Sequence, residues 1–277
     1  MKKLLGYFYG ILPFFAAEAI QVAVVNIIYT AFVFLAGFRS GSNPFLSVAA
    51  DTAEQIVGHD TEYMISVFGV LVCGAVFYFW YHNEVLGEVR GDLKQLLTTK
   101  NIGLFLLLGI GCQFFSSGIM SMLQQYLKES FTDYAKQVQE LTSGNDIVVL
   151  LLMLVIAPVT EELVFRGVIL HKTGREIPFL GANILQALLF GIYHWNIIQG
   201  VYAAVIGFLF GVVYRKYRTI LAPILLHMII NASSFLILIL PEGKPGYMFI
   251  TVAGGTSILL SLFFIKPLRE IAMKTSA

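Results

Sequence analysis

Ala157-Pro158-Val159-Thr160-Glu161-Glu162-Leu163-Val164-Phe165-Arg166-Gly167 is the segment on which the interpretation of this chain rests. It places two adjacent carboxylates and an arginine directly after a long apolar run, Ile147 to Ala157. A charge in the hydrocarbon of a bilayer costs at least about 2.5–3.5 kcal/mol, so all three side chains must face a protein interior or a water-filled cavity. The segment is therefore the first candidate for a functional site.

Helical spacing separates the roles of the two glutamates. Glu162 and Arg166 are four residues apart and share a helix face, so they are predicted to form a charge-assisted pair. Glu161 points about 100° away from Glu162, which leaves its carboxylate available for chemistry. Pro158 removes one backbone hydrogen bond, and we expect a kink there that lets water reach Glu161.

The composition is that of a membrane protein. Hydrophobic residues make up 57% of the 277 residues and charged residues 13%, unlike the surface chemistry of a soluble domain. The net charge is +1, and no basic run indicates a nucleic-acid partner. Cys73 and Cys112 both lie in apolar runs and are expected to be buried free thiols.

Eight apolar segments approach the length that a helix needs to cross a bilayer, roughly 20 residues. The first follows Lys2 and Lys3 and is too long for the core of a signal peptide, so it is expected to remain as a span. The predicted fold is all-α, a polytopic bundle of about eight transmembrane helices in one domain, residues 1–277, with an intramembrane polar cavity. Gly207-x-x-x-Gly211 is expected to let two helices approach closely. The segments are Leu4–Phe38, Met64–Tyr81, Ile102–Leu123, Ile147–Leu170, Ala182–Trp195, Ile198–Tyr214, Ile220–Leu240 and Tyr247–Ile265.

Basic residues between the segments are unevenly distributed. If both termini share a side, that side receives Lys2, Lys3, Arg90, Lys94, Lys100, Lys172, Arg175, Arg215, Lys216, Arg218, Lys266, Arg269 and Lys274. The other side receives Arg39, Lys128, Lys136 and Lys244. The positive-inside rule therefore predicts that the N and C termini are cytoplasmic. The connections 39–62 and 124–146 would then lie outside, as solvated loops or short surface helices.

Other polar residues stand inside the apolar segments. His194 ends one of them, and His227 and Asn231 are four residues apart on one face of another. A lone buried histidine is usually structural, but several polar groups in one apolar bundle satisfy one another most easily. We expect these three residues to meet Glu161 in a wet pocket. Measured from the cytoplasmic face, Glu161 would lie about 10–15 Å deep and His227 and Asn231 about 10–18 Å deep. His194 would lie deeper if its helix began at Phe179, and closer to the others if it began near Asn183. Glu18, in the first span, is expected to be paired rather than catalytic.

This set of side chains suits the hydrolysis of an amide. A carboxylate and a neutral imidazole facing one water can take its proton and later pass a proton to the leaving amine. His227 and Asn231 could donate hydrogen bonds to the oxyanion of the tetrahedral intermediate, each worth about 3–4 kcal/mol. No His-Glu-x-x-His or Cys-x-x-Cys signature is present, so no cofactor is expected. If zinc were bound, its ligands would be Glu161, His194 and His227.

Three motifs occur in order on separate segments: Glu161-Glu162-x-x-x-Arg166, Phe190-x-x-x-His194 and His227-x-x-x-Asn231. Together, within about residues 147–234, they resemble the CAAX prenyl protease 2 (Ras-converting enzyme) group of the CPBP or ABI superfamily of intramembrane proteases. An eight-helix bundle is similar to the fold of that family.

The resemblance implies a role for each motif residue. Glu161 would be the general base that activates water together with His194. His227 and Asn231 would form the oxyanion site. The residues that support or line this site would be Glu162, Arg166 and Phe190.

The resemblance also implies the partners. The substrate would be a membrane-associated protein or peptide, cut near its C terminus, and in eukaryotic and archaeal relatives it is prenylated. The lipid bilayer is the other expected partner. Two further functions stay open: a non-catalytic bacteriocin-immunity or scaffold protein of the same family, and a proton-coupled transporter, because intramembrane glutamates and histidines also form proton relays. The sequence lacks the paired broken helices typical of many transporters.

Overall fold

A computed structural model of the protein describes residues 2–39, 59–89, 91–142, 144–237 and 243–264. These residues form helices joined by short connections and contain no strand, which confirms the predicted all-α class. Part of the predicted outer connection 39–62 and the basic C-terminal residues lie outside the described residues. The helices are α1 (Lys2–Arg39), α2 (His59–Glu84), α3 (Leu93–Leu96), α4 (Thr99–Leu123), α5 (Lys128–Leu141), α6 (Asp146–Glu176), α7 (Phe179–Ile192), α8 (Ile197–Tyr217), α9 (Leu221–Ile237) and α10 (Lys244–Phe264).

The apolar helices match the predicted spans in number and order. Five described helices, α1, α2, α4, α6 and α8, are long and apolar enough to cross a membrane, and α7, α9 and α10 contain shorter apolar stretches. This confirms a polytopic helical membrane protein, whereas its organisation as a single domain stays a prediction. Two predicted boundaries were wrong, because the fourth segment continues to Glu176 and the fifth ends at Ile192. Between them Ile177 is extended, as a residue before proline prefers.

Helix α6 lies at the centre of the bundle, where it contacts α1, α2, α7, α8 and α9. Every residue from Glu162 to Leu170 is buried. Glu162 and Arg166 expose none of their surface. The charged residues of α6 therefore face the protein interior, as the cost of placing them in lipid requires.

Helix α6 also departs from regular α-helical geometry. Leu152–Ile156 and Leu163–Leu170 are π-helical, and the α-helical turn between them, Ala157–Glu162, carries Pro158 and both glutamates. Where the sequence predicted a proline kink, the structure shows π-helical turns on both sides of the proline. Such turns are rare in proteins as a whole, and those that occur often lie at functional sites.

Glycines bring α7 and α8 very close together. A Cβ atom on Gly207 would lie 2.8 Å from Cδ1 of Phe190 and 3.0 Å from Nη2 of Arg166, and one on Gly211 would overlap a side chain of α7. The Gly207 carbonyl accepts hydrogen bonds from Arg166 and from Gln186, each 3.0 Å long. The predicted close approach is confirmed, and it holds the α8 backbone against the arginine of α6.

We expect Gly207→Ala to destabilise the protein by about 1–3 kcal/mol, the usual cost of forcing an extra methyl group into a packed core. The reason is that both neighbours of the new methyl group, Phe190 and Arg166, are themselves buried. Thermal unfolding in detergent measures the effect. Gly103→Ala is the matched control, because a Cβ atom there meets nothing within 4 Å. Equal midpoints for the two variants would show that the contact at Gly207 is not tight.

Two further predictions are confirmed, a short surface helix in the connection 124–146 and the burial of the thiols. The connection contains α5, which has no buried residue, whereas its location outside the cell stays a prediction. Cys73 and Cys112 are both free and buried.

One end of the bundle gathers basic side chains. Lys172 forms an ion pair with Glu84 at 2.8 Å, Arg175 pairs with Glu88, and Arg218 donates to the backbone carbonyl of Glu88 at 3.2 Å. Basic residues from the ends of α6 and α8 therefore meet at the connection after α2. This is the end that we call the basic end.

Candidate active site

The four predicted catalytic residues line one cavity of about 550 Å³. Glu161 reaches it from α6, His194 from the turn after α7, and His227 and Asn231 from α9. Phe190 lines the same cavity. The structure thus brings these side chains together, and their chemical roles stay a prediction.

The two adjacent glutamates have different surroundings, as their spacing predicts. Oε1 of Glu162 accepts a hydrogen bond from Nη1 of Arg166 at 3.0 Å and lies 3.0 Å from Nδ1 of His227. This carboxylate is fully buried behind the cavity. The side chain of Glu161 keeps 15% of its surface exposed and lines the cavity. One carboxylate is therefore structural in its contacts, and the other faces the space where a substrate could bind.

Both terminal nitrogens of Arg166 have hydrogen-bond partners despite their burial, whereas its Nε has none. Beyond Glu162, its Nη2 donates to the Gly207 carbonyl at 3.0 Å. Its guanidinium also lies 4.4 Å from the ring centre of Phe190 and 4.9 Å from that of Phe210. Aromatic faces attract cations, and more strongly where water is excluded. The arginine thereby links the buried glutamate to the aromatic wall of the cavity.

His227 lies between the two glutamates. Its Nδ1 bonds to Glu162, and its Nε2 lies 3.8 Å from Oε2 of Glu161. The ring stacks on Phe210, with centroids 4.8 Å apart. A carboxylate that accepts from Nδ1 fixes the proton on that nitrogen and the orientation of the ring. The arrangement therefore aims Nε2 at Glu161, across a gap longer than a direct hydrogen bond.

His194 lies just beyond the end of α7 rather than inside a helix, which corrects the predicted segment Ala182–Trp195. Its Nδ1 is 2.8 Å from the Phe190 carbonyl, and its ring meets that of Phe190 edge-on at 4.9 Å. A carbonyl can only accept, so Nδ1 carries the hydrogen and Nε2 is the basic nitrogen of the neutral ring. The following residue, Trp195, has a left-handed backbone with φ of 51°, a conformation that a bulky residue adopts only when its surroundings enforce it.

Side chains from α1 and α5 supply those surroundings. The Trp195 indole N–H donates to the Glu18 carboxylate at 3.2 and 3.3 Å, which confirms that Glu18 is paired. Gln21 donates to the hydroxyl of Tyr193. Gln137 of α5 donates to the His194 carbonyl at 3.0 Å. Two other helices therefore hold the turn that carries His194.

Asn231 is partly engaged by the backbone. Its Nδ2 donates to the carbonyl of Met153, in the first π-helical segment, at 2.8 Å. A primary amide carries two N–H donors, so one of them is used for this contact. The second is the donor that remains for a ligand in the cavity.

No group of three histidine, cysteine, aspartate or glutamate side chains in the described part of the chain is arranged to hold a metal ion. Glu161, His194 and His227, the ligands considered for zinc, line the cavity without forming such a group. His227 also directs one ring nitrogen to Glu162. We therefore derive no chemical step through a metal.

The depth predicted for the site needs correction. Helix α5 covers the cavity, and its residues Tyr134, Gln137 and Leu141 line it. The basic end lies at the opposite ends of α6 and α8. The sequence predicted that the site lies near the cytoplasmic face and that the basic residues are cytoplasmic. Because the cavity and the basic end lie at opposite ends of the bundle, these two predictions disagree. The reason is that the cavity extends from Glu161 toward the first residues of α6 and α8, where α5 covers it, and away from the basic end.

Sequence reasoning missed most of the polar lining. Gln21, Gln113 and Gln199 face the cavity from apolar helices, where a single glutamine gives no pattern, and Gln137 faces it from the polar helix α5. A signal was present in α5, where Tyr134, Gln137 and the apolar residues 138 and 141 follow the spacing of one helix face.

Comparison with known proteins agrees with the motifs. Residues 143–233 match the family described as Type II CAAX prenyl endopeptidase Rce1-like. This segment contains all three motifs, so the resemblance is confirmed for the part of the chain that carries them. The chain is also similar to "Putative membrane peptidase YdiL" of Bacillus subtilis (strain 168), with 26% identity over 192 residues that cover 66% of this chain and 74% of that protein. No solved structure matches the chain significantly.

Proposed function

From the premise that residues 143–233 are of the Rce1-like type, we propose that this integral membrane protein is an intramembrane endopeptidase. It cleaves a peptide bond in a membrane-associated protein or peptide. The observation that carries the proposal is the shared cavity, in which Glu161, His194, His227 and Asn231 surround one space. The prenylated C terminus named by the family is the first substrate to test.

The first step is the activation of water by Glu161. The 3.8 Å gap between its Oε2 and Nε2 of His227 is the kind of separation that a bridging water fills. Glu161 takes a proton from this water while the oxygen bonds to the carbonyl carbon of the substrate. The carbonyl π electrons move to the oxygen, and a tetrahedral oxyanion results.

Donors on α9 stabilise that oxyanion. Asn231 offers its second amide N–H, and His227 in its doubly protonated form offers Nε2–H. The contact of Nδ1 with Glu162 holds the ring for this purpose, and Arg166 holds Glu162 in turn. Collapse of the intermediate breaks the C–N bond.

His194 completes the proton transfers. Because Nδ1 is bonded to the Phe190 carbonyl, Nε2 is the nitrogen that accepts from Glu161 the proton taken from the water and gives it to the leaving amine as the C–N bond breaks. The products are a carboxylic acid and an amine, and this transfer leaves Glu161 as a carboxylate and His194 neutral, as at the start.

We also place both termini in the cytoplasm. The support is the basic end, where Lys172, Arg175 and Arg218 meet, together with the basic residues at both ends of the sequence. The positive-inside rule assigns such an end to the cytoplasm.

The experiment that tests the function uses the purified protein in detergent. A farnesylated CAAX peptide and a matched unprenylated membrane-anchored peptide are incubated with the wild type and with His194→Ala, and products are identified by mass spectrometry. We expect cleavage by the wild type and a fall in kcat of about 10²–10⁴-fold in the variant, because it loses its proton carrier. Circular dichroism and size exclusion verify that the variant is folded.

The outcomes separate the competing functions. Equal cleavage by His194→Ala would contradict the proposed mechanism. A wild type that binds peptides without cleaving any of them would favour the immunity or scaffold function. Substrate flux driven by a pH gradient in proteoliposomes would favour a transporter.

A further inference from the structure

The cavity occupies one half of the bundle along the membrane normal. It begins near the middle of the helices, at Glu161 and Phe210, and extends to Leu152 of α6 and Gln199 of α8, close to the first residues of these helices. Helix α5 lies over this end. The cavity thus reaches the end of the bundle at which α5 lies and α2, α6 and α8 begin, which we call the α5 end.

Basic residues mark the other end. Gln199, in the cavity wall, and Arg215, near the end of α8, are sixteen residues apart, or roughly 24 Å along a helix. This is most of the thickness of the hydrocarbon core. The basic side chains described at that end are Lys94, Lys100, Lys172, Arg175, Arg215, Lys216 and Arg218.

The α5 end has the opposite balance of charge. Among the side chains that the structure describes there, two are basic, Lys128 and Lys136, both on α5. The acidic side chains are Glu62, Glu129, Asp133, Glu140 and Asp146. Lysine and arginine concentrate in cytoplasmic loops, and acidic residues contribute little to orientation. The α5 end is therefore the extracytoplasmic end.

We infer that the cavity takes its substrate from the extracytoplasmic side, as the segment of an exported or membrane-anchored protein that lies next to the outer leaflet. That the cavity binds a substrate rests on the proposed function. The orientation of the protein in the membrane does not depend on that function. A lipidated C terminus held at the cytoplasmic leaflet would meet the basic end instead of the cavity.

The charge of the cavity narrows the class of peptide further. Its lining contains two carboxylates, Glu18 and Glu161, and no lysine or arginine among the described residues. An acidic side chain would lose its hydration there without gaining a lysine or arginine partner. The substrate segment is therefore neutral or basic where it enters the cavity.

Cysteine labelling in intact cells tests the orientation without any activity. Lys136→Cys places a thiol at the α5 end and Glu176→Cys places one at the basic end, and both positions are exposed. The unsubstituted chain is the control, because its two cysteines are buried. With a membrane-impermeant maleimide, we expect Lys136→Cys to be labelled in intact cells and Glu176→Cys only after permeabilisation. Label on Glu176→Cys in intact cells would overturn the inference.

Sealed vesicles test the side of attack. A soluble neutral peptide that the detergent-solubilised protein cleaves should be cut by right-side-out vesicles and spared by inside-out vesicles until detergent is added. The reverse pattern would overturn the inference. Peptides that differ by one residue test the charge selection. We expect a lysine to leave kcat/KM close to that of the neutral peptide and a glutamate to lower it. Equal kcat/KM for the lysine and glutamate peptides would refute the charge selection. If no peptide is cleaved even in detergent, the proposed function fails while the labelling result stands.

Discussion

Glu161→Gln is expected to abolish peptide cleavage, with kcat falling by about 10³-fold or more, because an amide cannot take the proton of the attacking water. The substitution keeps the size of the side chain. Glu161 lines the cavity, and the buried contacts with Arg166 and His227 belong to Glu162. The loss should therefore appear in kcat, with KM and thermal stability close to those of the wild type.

Two further variants serve as comparisons for the rate of Glu161→Gln. Glu161→Asp keeps a carboxylate but withdraws it from His227, so an intermediate rate is expected. Glu129→Gln removes a carboxylate from the exposed helix α5 and should leave the rate unchanged. If Glu161→Gln cleaves as fast as the wild type, another group activates the water and the mechanism proposed above is wrong.

Arg166→Met is expected to produce the largest loss of stability, about 3–5 kcal/mol, because it removes the guanidinium from the buried charge of Glu162 and leaves it only the contact with His227. Neither side chain of the pair exposes any surface, so water cannot replace the guanidinium. Chemical unfolding in detergent micelles, followed by circular dichroism, measures the change. The hydrogen bond to the Gly207 carbonyl is lost at the same time.

The contrast with a partly exposed ion pair identifies the cause. Lys172 and Glu84 also pair, but their side chains keep 22% and 43% of their surface, so Lys172→Met should cost about 1 kcal/mol or less. In the double variant Arg166→Met with Glu162→Gln, the unpaired charge is gone, and part of the stability should return. A double variant as unstable as Arg166→Met would show that lost packing, rather than the stranded carboxylate, causes the effect.

The sequence predicted the parts of the fold that depend on composition and spacing. Apolar segments of spanning length are visible without any structure, and the pair of Glu162 and Arg166 follows from one turn of helix. The meeting of His194, His227 and Asn231 with Glu161 followed from the cost of leaving each alone in lipid. These inferences use energies that are large and local.

Features that depend on a shift of a few residues could not be predicted. The π-helical turns around Pro158 leave the apolar pattern unchanged, so nothing in it reports them. His194 lies two residues beyond the end of α7, a difference within the error of any boundary drawn from hydropathy. The half of the bundle that holds the cavity was not predicted either, because it depends on where α5 packs, which hydropathy does not report. The contact of Asn231 with Met153 depends on a backbone carbonyl, which side-chain patterns do not describe.

Helix α5 connects access to the cavity with the chemistry inside it. Its Gln137 is bonded to the peptide carbonyl of His194, and its Tyr134 hydroxyl is 3.3 Å from that of Tyr202 on α8. A displacement of α5 would break the first of these bonds and so remove one of the contacts that hold the turn carrying His194. The position of this imidazole at the cavity therefore depends on where α5 packs.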